Sequence, residues 1–202
     1  LIGELRVSAP TSFGLLHLAP LWPAFLASHP KLTLDVELAD RFVDLVDEGY
    51  DLAVRIARLP DSSMISRRLA ATRLILCASP GYLQRQGAPR VPADLAEHTV
   101  FAYKLLSSGD LWHFDGPQGP TTVKVRPRMR SNSGDSCCEA ALQHQGLVLQ
   151  PSFLVGAHLR SGALVEVMPA WHSIELGVYA VYPSRKQLAS KVRVLVDHLV
   201  DA

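Results

Sequence analysis

The chain has 202 residues, of which 48% are apolar, enough for a substantial core in one large domain or two smaller lobes. Twenty basic residues against nineteen acidic ones give a formal charge of +1, which argues against the basic surface of a nucleic-acid-binding domain. Its longest apolar runs, such as Leu74–Ala78, fall far short of the roughly 20 residues of a membrane-spanning helix, and Leu1–Arg6 lacks the pattern of a signal peptide.

In chain order, Glu4–Ser8 reads as a first strand, so the chain begins as a piece of something longer would. Ala9-Pro10-Thr11-Ser12 reads as a helix start, with proline in the first turn and hydroxyls to cap free amides. Leu15, Leu18, Leu21, Trp22, Phe25 and Leu26 give that helix an apolar face as far as Ser28, with a kink or loosened turn expected at Pro20 and Pro23. Lys31–Leu38 alternates cleanly and is expected as a half-exposed edge strand. Arg41–Glu48 is expected as a short helix closed by Gly49, and Asp51–Ile56 as the next strand. This β-α-β-α-β order implies a mostly parallel sheet with helices on its faces.

Leu59–Ser66 is turn-rich, and Arg73–Ala78 reads as a strand. Short helices follow at Ser79–Gln86 and Pro92–Glu97, then a strand at Thr99–Tyr103. The Gly-, Pro- and Ser-rich stretch Ser107–Thr122 is expected as a hairpin or loop, and Thr122–Met129 as a strand. Ser131–Asp135 caps a helix running to about His144. Gly146–Pro151 reads as a buried strand, Ser152–Ser161 as a helix ended by Gly162, and Leu164–Met168 and Glu175–Tyr182 as strands. Leu188, Val192, Leu195, Val196 and Leu199 mark a closing amphipathic helix.

The order and detail of these segments resemble the effector-binding (substrate-binding) domain of LysR-type transcription regulators. The resemblance is carried by Gly3-x-Leu5-Arg6-Val7-x-Ala9-Pro10, by Phe25-Leu26-x-x-His29-Pro30, and by Asp44-Leu45-x-x-Glu48-Gly49-Tyr50-Asp51-Leu52-Ala53-Val54-Arg55-Ile56. It continues through Ala78-Ser79-Pro80-Gly81-Tyr82-Leu83, Asn132-Ser133-Gly134-Asp135, Pro151-Ser152-Phe153 and Tyr179-Ala180-Val181-Tyr182-Pro183. One departure is His144, which stands where the family offers the first of two glycines.

The resemblance implies an α/β fold of the type 2 periplasmic-binding-protein kind, with two Rossmann-like lobes joined by two crossover strands. Regulatory lobe I would hold residues 1–73 and 177–202, and lobe II residues 74–176. The crossovers would lie near Arg73–Ala78 and Glu175–Val181, with the ligand cleft between the lobes. It implies a cytoplasmic bacterial homodimer or homotetramer, reaching operator DNA only through an N-terminal helix-turn-helix outside these residues. It further implies that the first helix and the Lys31–Leu38 strand meet the second lobe of a partner copy. A free-standing solute-binding protein and an enzyme of the same fold are the alternatives.

In open α/β sheets, ligands bind beyond the carboxyl ends of strands, where helix N-termini welcome anions. Ala9, Pro10, Thr11 and Ser12 are therefore candidate ligand contacts in the first lobe, with Ile56 and Ala57 at the end of the third strand. Phe101, Tyr103, Ser133 and Gly134 are the candidates in the second. Pure capping for the hydroxyls, and a core or hinge role for the aromatics, are the competing readings. Arg55 and Arg58 are possible anion partners, against a salt-bridge role. The effector is expected to be a small organic anion.

No His pair at i,i+4 spacing, no CxxC, no Gly-x-Ser-x-Gly and no phosphate loop is present, so no metal, cofactor or catalytic residue is expected. Arg126, Arg128 and Arg130 read as one solvated strand face. Three cysteines do not make a disulfide framework; Cys137 and Cys138 fall in the first turn of a helix, where the dipole would lower a thiol pKa.

Overall fold

A computed structural model describes residues 1–58, 64–183 and 189–202. Two compact units emerge: Leu1–Ala71 with Leu176–Ala202, and Thr72–Glu175. The chain passes between them twice, within strands β4 (Ile65–Ala78) and β11 (Glu175–Tyr182).

In the first unit, β1 (Gly3–Ala9) lies between β2 (Leu32–Leu38) and β3 (Leu52–Ala57), parallel to both. β11 joins the far side of β3 antiparallel. β1 is central and its last three residues are buried, as befits a strand covered on both faces. β2 is the edge strand expected from its alternation, with Thr33, Asp35 and Glu37 exposed. Arg6 ties β1 to β2 and to the turn that precedes β3: its Nε meets Asp35 at 3.1 Å, its Nη1 donates to the Glu48 carbonyl at 2.9 Å, and its guanidinium lies over the Tyr50 ring.

The helical stretch after β1 is loosened where the prolines fall. It opens as α1 (Thr11–Phe13), widens to a π turn at Gly14–Leu18, tightens to a 3-10 turn at Ala19–Leu21, and resumes as α2 (Trp22–Ser28). Pro20 and Pro23 lack the N–H that would bond back to residues 16 and 19, so an unbroken α ladder is impossible there. The closing helix α6 (Ser190–Asp201) buries Val192, Leu195, Val196 and Leu199 at helical spacing. It meets α2 through His198, whose ring is 5.2 Å from that of Phe25.

The helix expected at Arg41–Glu48 does not form; the segment is a turn. Asp44 Oδ1 accepts the N–H groups of Val46 and Asp47, both at 3.0 Å, and Glu48 chelates the Arg41 guanidinium. A short acidic side chain bonded to nearby amides competes with the helical ladder, and Gly49 leaves the turn at φ 74°. The turn still places Val43, Leu45 and Tyr50 in a cluster with Ala53 and Val181.

In the second unit the strand order is β4, β9 (Leu147–Pro151), β5 (Val100–Tyr103) and β8 (Met129–Ser131), with β10 (Val165–Glu166) on the other side of β4. β9 is antiparallel to β4 and parallel to β5, which is parallel to β8. α4 (Gly134–Leu142) and α5 (Ser152–Ser161) cover the sheet over a core of Ile75, Cys77, Phe101, Cys137, Cys138, Val148, Val155 and Leu164. α3 (Pro80–Gln86) starts on a buried Ser79 cap and stops at Gly87, φ 76°. Residues 92–97 form a 3-10 helix.

The expected hairpin is β6 (Leu111–Gly116) with β7 (Gly119–Lys124), burying Trp112 and Phe114. Three strand boundaries move. Thr122–Met129 is interrupted between β7 and β8, around Pro127; β10 is only two residues long; and β4 begins at Ile65, eight residues before the expected start. Most of the turn expected at Leu59–Ser66, together with Leu188 of the closing helix, lies outside the described residues.

Candidate functional site

In the first unit, the parallel alignment of β1 and β3 puts Ala9 and Ala57 at the same carboxyl edge of the sheet. Ala9 is buried, and its carbonyl accepts the Ala39 N–H at 2.9 Å. Pro10 occupies the N-cap position of α1, and its carbonyl accepts from Gly14 at 2.7 Å. Ser12 is buried beside it, while Ile56 and Ala57 are half-buried at the end of β3. The structure therefore brings Ala9, Pro10, Thr11, Ser12, Ile56 and Ala57 to one edge.

The amide expected to greet an anion there is already engaged. Thr11 N–H donates to Asp40 Oδ1 at 2.7 Å, so a carboxylate of the chain itself sits at this helix start. The two arginines differ. Arg55 donates to the Val43 carbonyl and stacks 4.1 Å from the Phe42 ring, while Arg58 is exposed.

In the second unit, Tyr103 pairs with Ser131 where β5 and β8 end. Ser133 and Gly134 follow at once and open α4. The Ser133 hydroxyl accepts the Ser136 N–H at 3.2 Å, and its own N–H donates to Ser131 Oγ at 3.0 Å. Tyr103, Ser133 and Gly134 thus share the carboxyl edge of this sheet, next to a helix N-terminus. Phe101, two residues back on β5, is instead a core residue packed with the thiols and with α4 and α5.

Sequence reasoning missed two residues. Asp40 follows β2 without any local signal, and only the fold carries its carboxylate to Thr11. Gln150 did have a signal, as the one polar side chain in the apolar run Leu147–Pro151. It is buried under α4: a Cβ on Gly134 would lie 2.8 Å from Gln150 Oε1.

Burial overrides the helix dipole at the cysteines, contrary to the expectation of a lowered pKa. Desolvation raises all three thiols, Cys77 to about 12. Arg126, Arg128 and Arg130 are all exposed, and Arg130 chelates Asp110, which lowers the pKa of that carboxyl. Among the described residues, no group of three or more His, Cys, Asp or Glu is placed to hold a metal. Among them, too, no helix is long and apolar enough to cross a membrane.

Strand-end edges next to helix starts, in two α/β units joined by two strands, define a ligand-binding fold of the type 2 periplasmic-binding-protein kind. The chain belongs to the LysR substrate binding domain family, whose model matches residues 1–202. An HTH-type transcriptional regulator of Haemophilus influenzae is 38% identical over 190 residues, covering 94% of this chain and 66% of that protein. The HTH-type transcriptional regulator PtxR of Pseudomonas aeruginosa is 34% identical, covering 98% of this chain and 63% of its own length. The chain therefore spans just under two thirds of these curated relatives. The regulatory domain of CrgA, a LysR-type transcriptional regulator from Neisseria meningitidis, superposes with a TM-score of 0.87 at 29% identity, covering 100% of this chain and 98% of that one. These likenesses favour the regulator reading over the free-standing solute-binding protein.

Proposed function

We propose that the chain is the effector-sensing part of a bacterial, cytoplasmic transcription regulator, which binds a small organic anion and transforms nothing. The observation that carries this is the end-to-end match to one regulatory-domain family, in relatives named as HTH-type regulators that extend beyond it. Operator DNA is then contacted by a helix-turn-helix elsewhere in the full protein, and the near-balanced charge of these 202 residues fits that division. The proposed contacts are Ala9, Pro10, Thr11, Ser12, Ile56 and Ala57 in the first unit and Tyr103, Ser133 and Gly134 in the second. Phe101 supports them from the core.

Asp40 redistributes the electrostatics of this site. With its carboxylate on the Thr11 amide, the first edge disfavours a second negative charge. The nine-residue α4 is the stronger anion end. An effector binding with differential affinity for two arrangements of the protein shifts the population between them.

A thermal-shift screen of small metabolites tests the reading, because a specific ligand stabilises only the folded state. The expected outcome is a metabolite that raises the melting temperature unchanged by the protein. In gel-shift experiments, the full protein should retard its operator while residues 1–202 alone should not. Turnover of the ligand, or sequence-selective DNA binding by these residues alone, would overturn the proposal.

A further inference from the structure

Gln150 is a polar side chain where packing asks for an apolar one. It sits at the end of β9, is 1% exposed, and its Nε2 has no hydrogen-bond partner among the described residues. A buried amide nitrogen with unmet donors destabilises a fold, and native proteins rarely keep one without a use. The carboxamide lies against the first turn of α4. Gly134 makes this possible, since a Cβ there would come within 2.8 Å of both Gln150 Oε1 and Leu154 Cδ2. That same turn carries the Ser133 cap, the leading amides of α4 and the positive end of its dipole. The carboxamide of a strand residue, its Nε2 donor unmet, therefore lies against the N-terminus of a helix from a different element, with Oε1 the atom nearest Gly134.

We propose that Gln150 is a specificity-determining residue of the effector site, donating Nε2–H to a carboxylate oxygen of an effector seated on the first turn of α4. This rests on the effector-binding reading above. The rotatable bonds of glutamine let its carboxamide turn toward an arriving oxygen. A hydrocarbon or ammonium group in that place satisfies neither the amide nor the helix end. Leucine or valine at residue 150 would pack as well, but would not distinguish a carboxylate.

The test compares wild type with Gln150→Met, which keeps the side-chain length without the amide. Melting is followed alone and with acetate, succinate or benzoate, and with the corresponding primary amides as uncharged controls. Calorimetry then gives the affinity for whichever carboxylate stabilises wild type. The expected result is a variant that melts no lower than wild type without ligand and binds that carboxylate more weakly by roughly fivefold or more, the worth of one net hydrogen bond. Three outcomes overturn the assignment: a variant that melts lower without ligand, because its amide was already satisfied; equal carboxylate affinity in both proteins; or no carboxylate that stabilises wild type. A stabilising metabolite with no carboxylate would also sink it, while leaving the effector-binding reading intact.

Discussion

Cys77, Cys137 and Cys138 share one core cluster of the second unit and show how burial decides reactivity. All are at most 3% exposed, and desolvation raises each pKa because a thiolate has no water to stabilise it there. At about pH 8, below the ordinary thiol pKa, a disulfide reagent should therefore modify none of the three in the folded chain and all three after denaturation. Fast labelling of even one native thiol would contradict this placement and reopen a redox role. His144 shows the opposite kind of control, by backbone rather than solvent. It adopts φ 62°, a conformation natural to the glycine that the family offers there. Its ring compensates by bonding Ser79 Oγ at 2.7 Å, and its carbonyl accepts from Arg85. The departure was legible as a residue identity; the partner that tolerates it was not, because Ser79 is 65 residues away.

At the scale of elements, β9 starts where no side chain can be tolerated. A Cβ on Gly146 would sit 2.5 Å from the Thr99 carbonyl oxygen and 2.9 Å from the Phe101 ring. The oxygen belongs to the backbone and accepts Leu147 N–H at 2.9 Å, so it cannot step aside without losing the first bond between β5 and β9. Gly146→Ala should cost about 1–3 kcal/mol, the usual range for overpacking, read as a lower urea midpoint with an unchanged slope. A midpoint equal to wild type would mean that the two strands are looser than their contacts indicate. Most elements were readable because their signals are local. Ser79-Pro80-Gly81 followed by Gly87 marks both ends of α3, and the alternation of Leu32–Leu38 marks an edge strand. The turn at 41–48 was misread because its apolar residues fit helical spacing, while the Asp44 side chain claims the amides a helix would use.

For the whole molecule, an edge strand and exposed apolar helix residues point to self-association. Among the described residues β2 has a neighbour on one side only, and Leu15 and Leu16 of the nearby π turn are 59% and 49% exposed. Unpaired strand edges and apolar patches are usually covered, and a symmetric pair of identical surfaces is the commonest cover. Light scattering after size exclusion should thus give a dimer mass at ~100 μM, a concentration well above ordinary dimer dissociation constants. Leu15→Glu together with Leu16→Glu should shift it to monomer without unfolding it. A wild-type monomer under those conditions would show that these surfaces do not pair.

The two strands that pass between the units follow only from the family resemblance, while periodicity, caps and composition in this sequence determine most of its strands and helix ends. These depend on neighbours within a few residues, where backbone sterics and apolar spacing act directly. Tertiary structure alone decides which polar groups meet. It brings Asp40 to the Thr11 amide, leaves Gln150 Nε2 buried without a partner among the described residues, and sets Phe101 in the core while Tyr103 stays at the edge. Each of these turns on atoms from separate elements falling within bonding distance or on water being excluded, and neither quantity is written in local sequence.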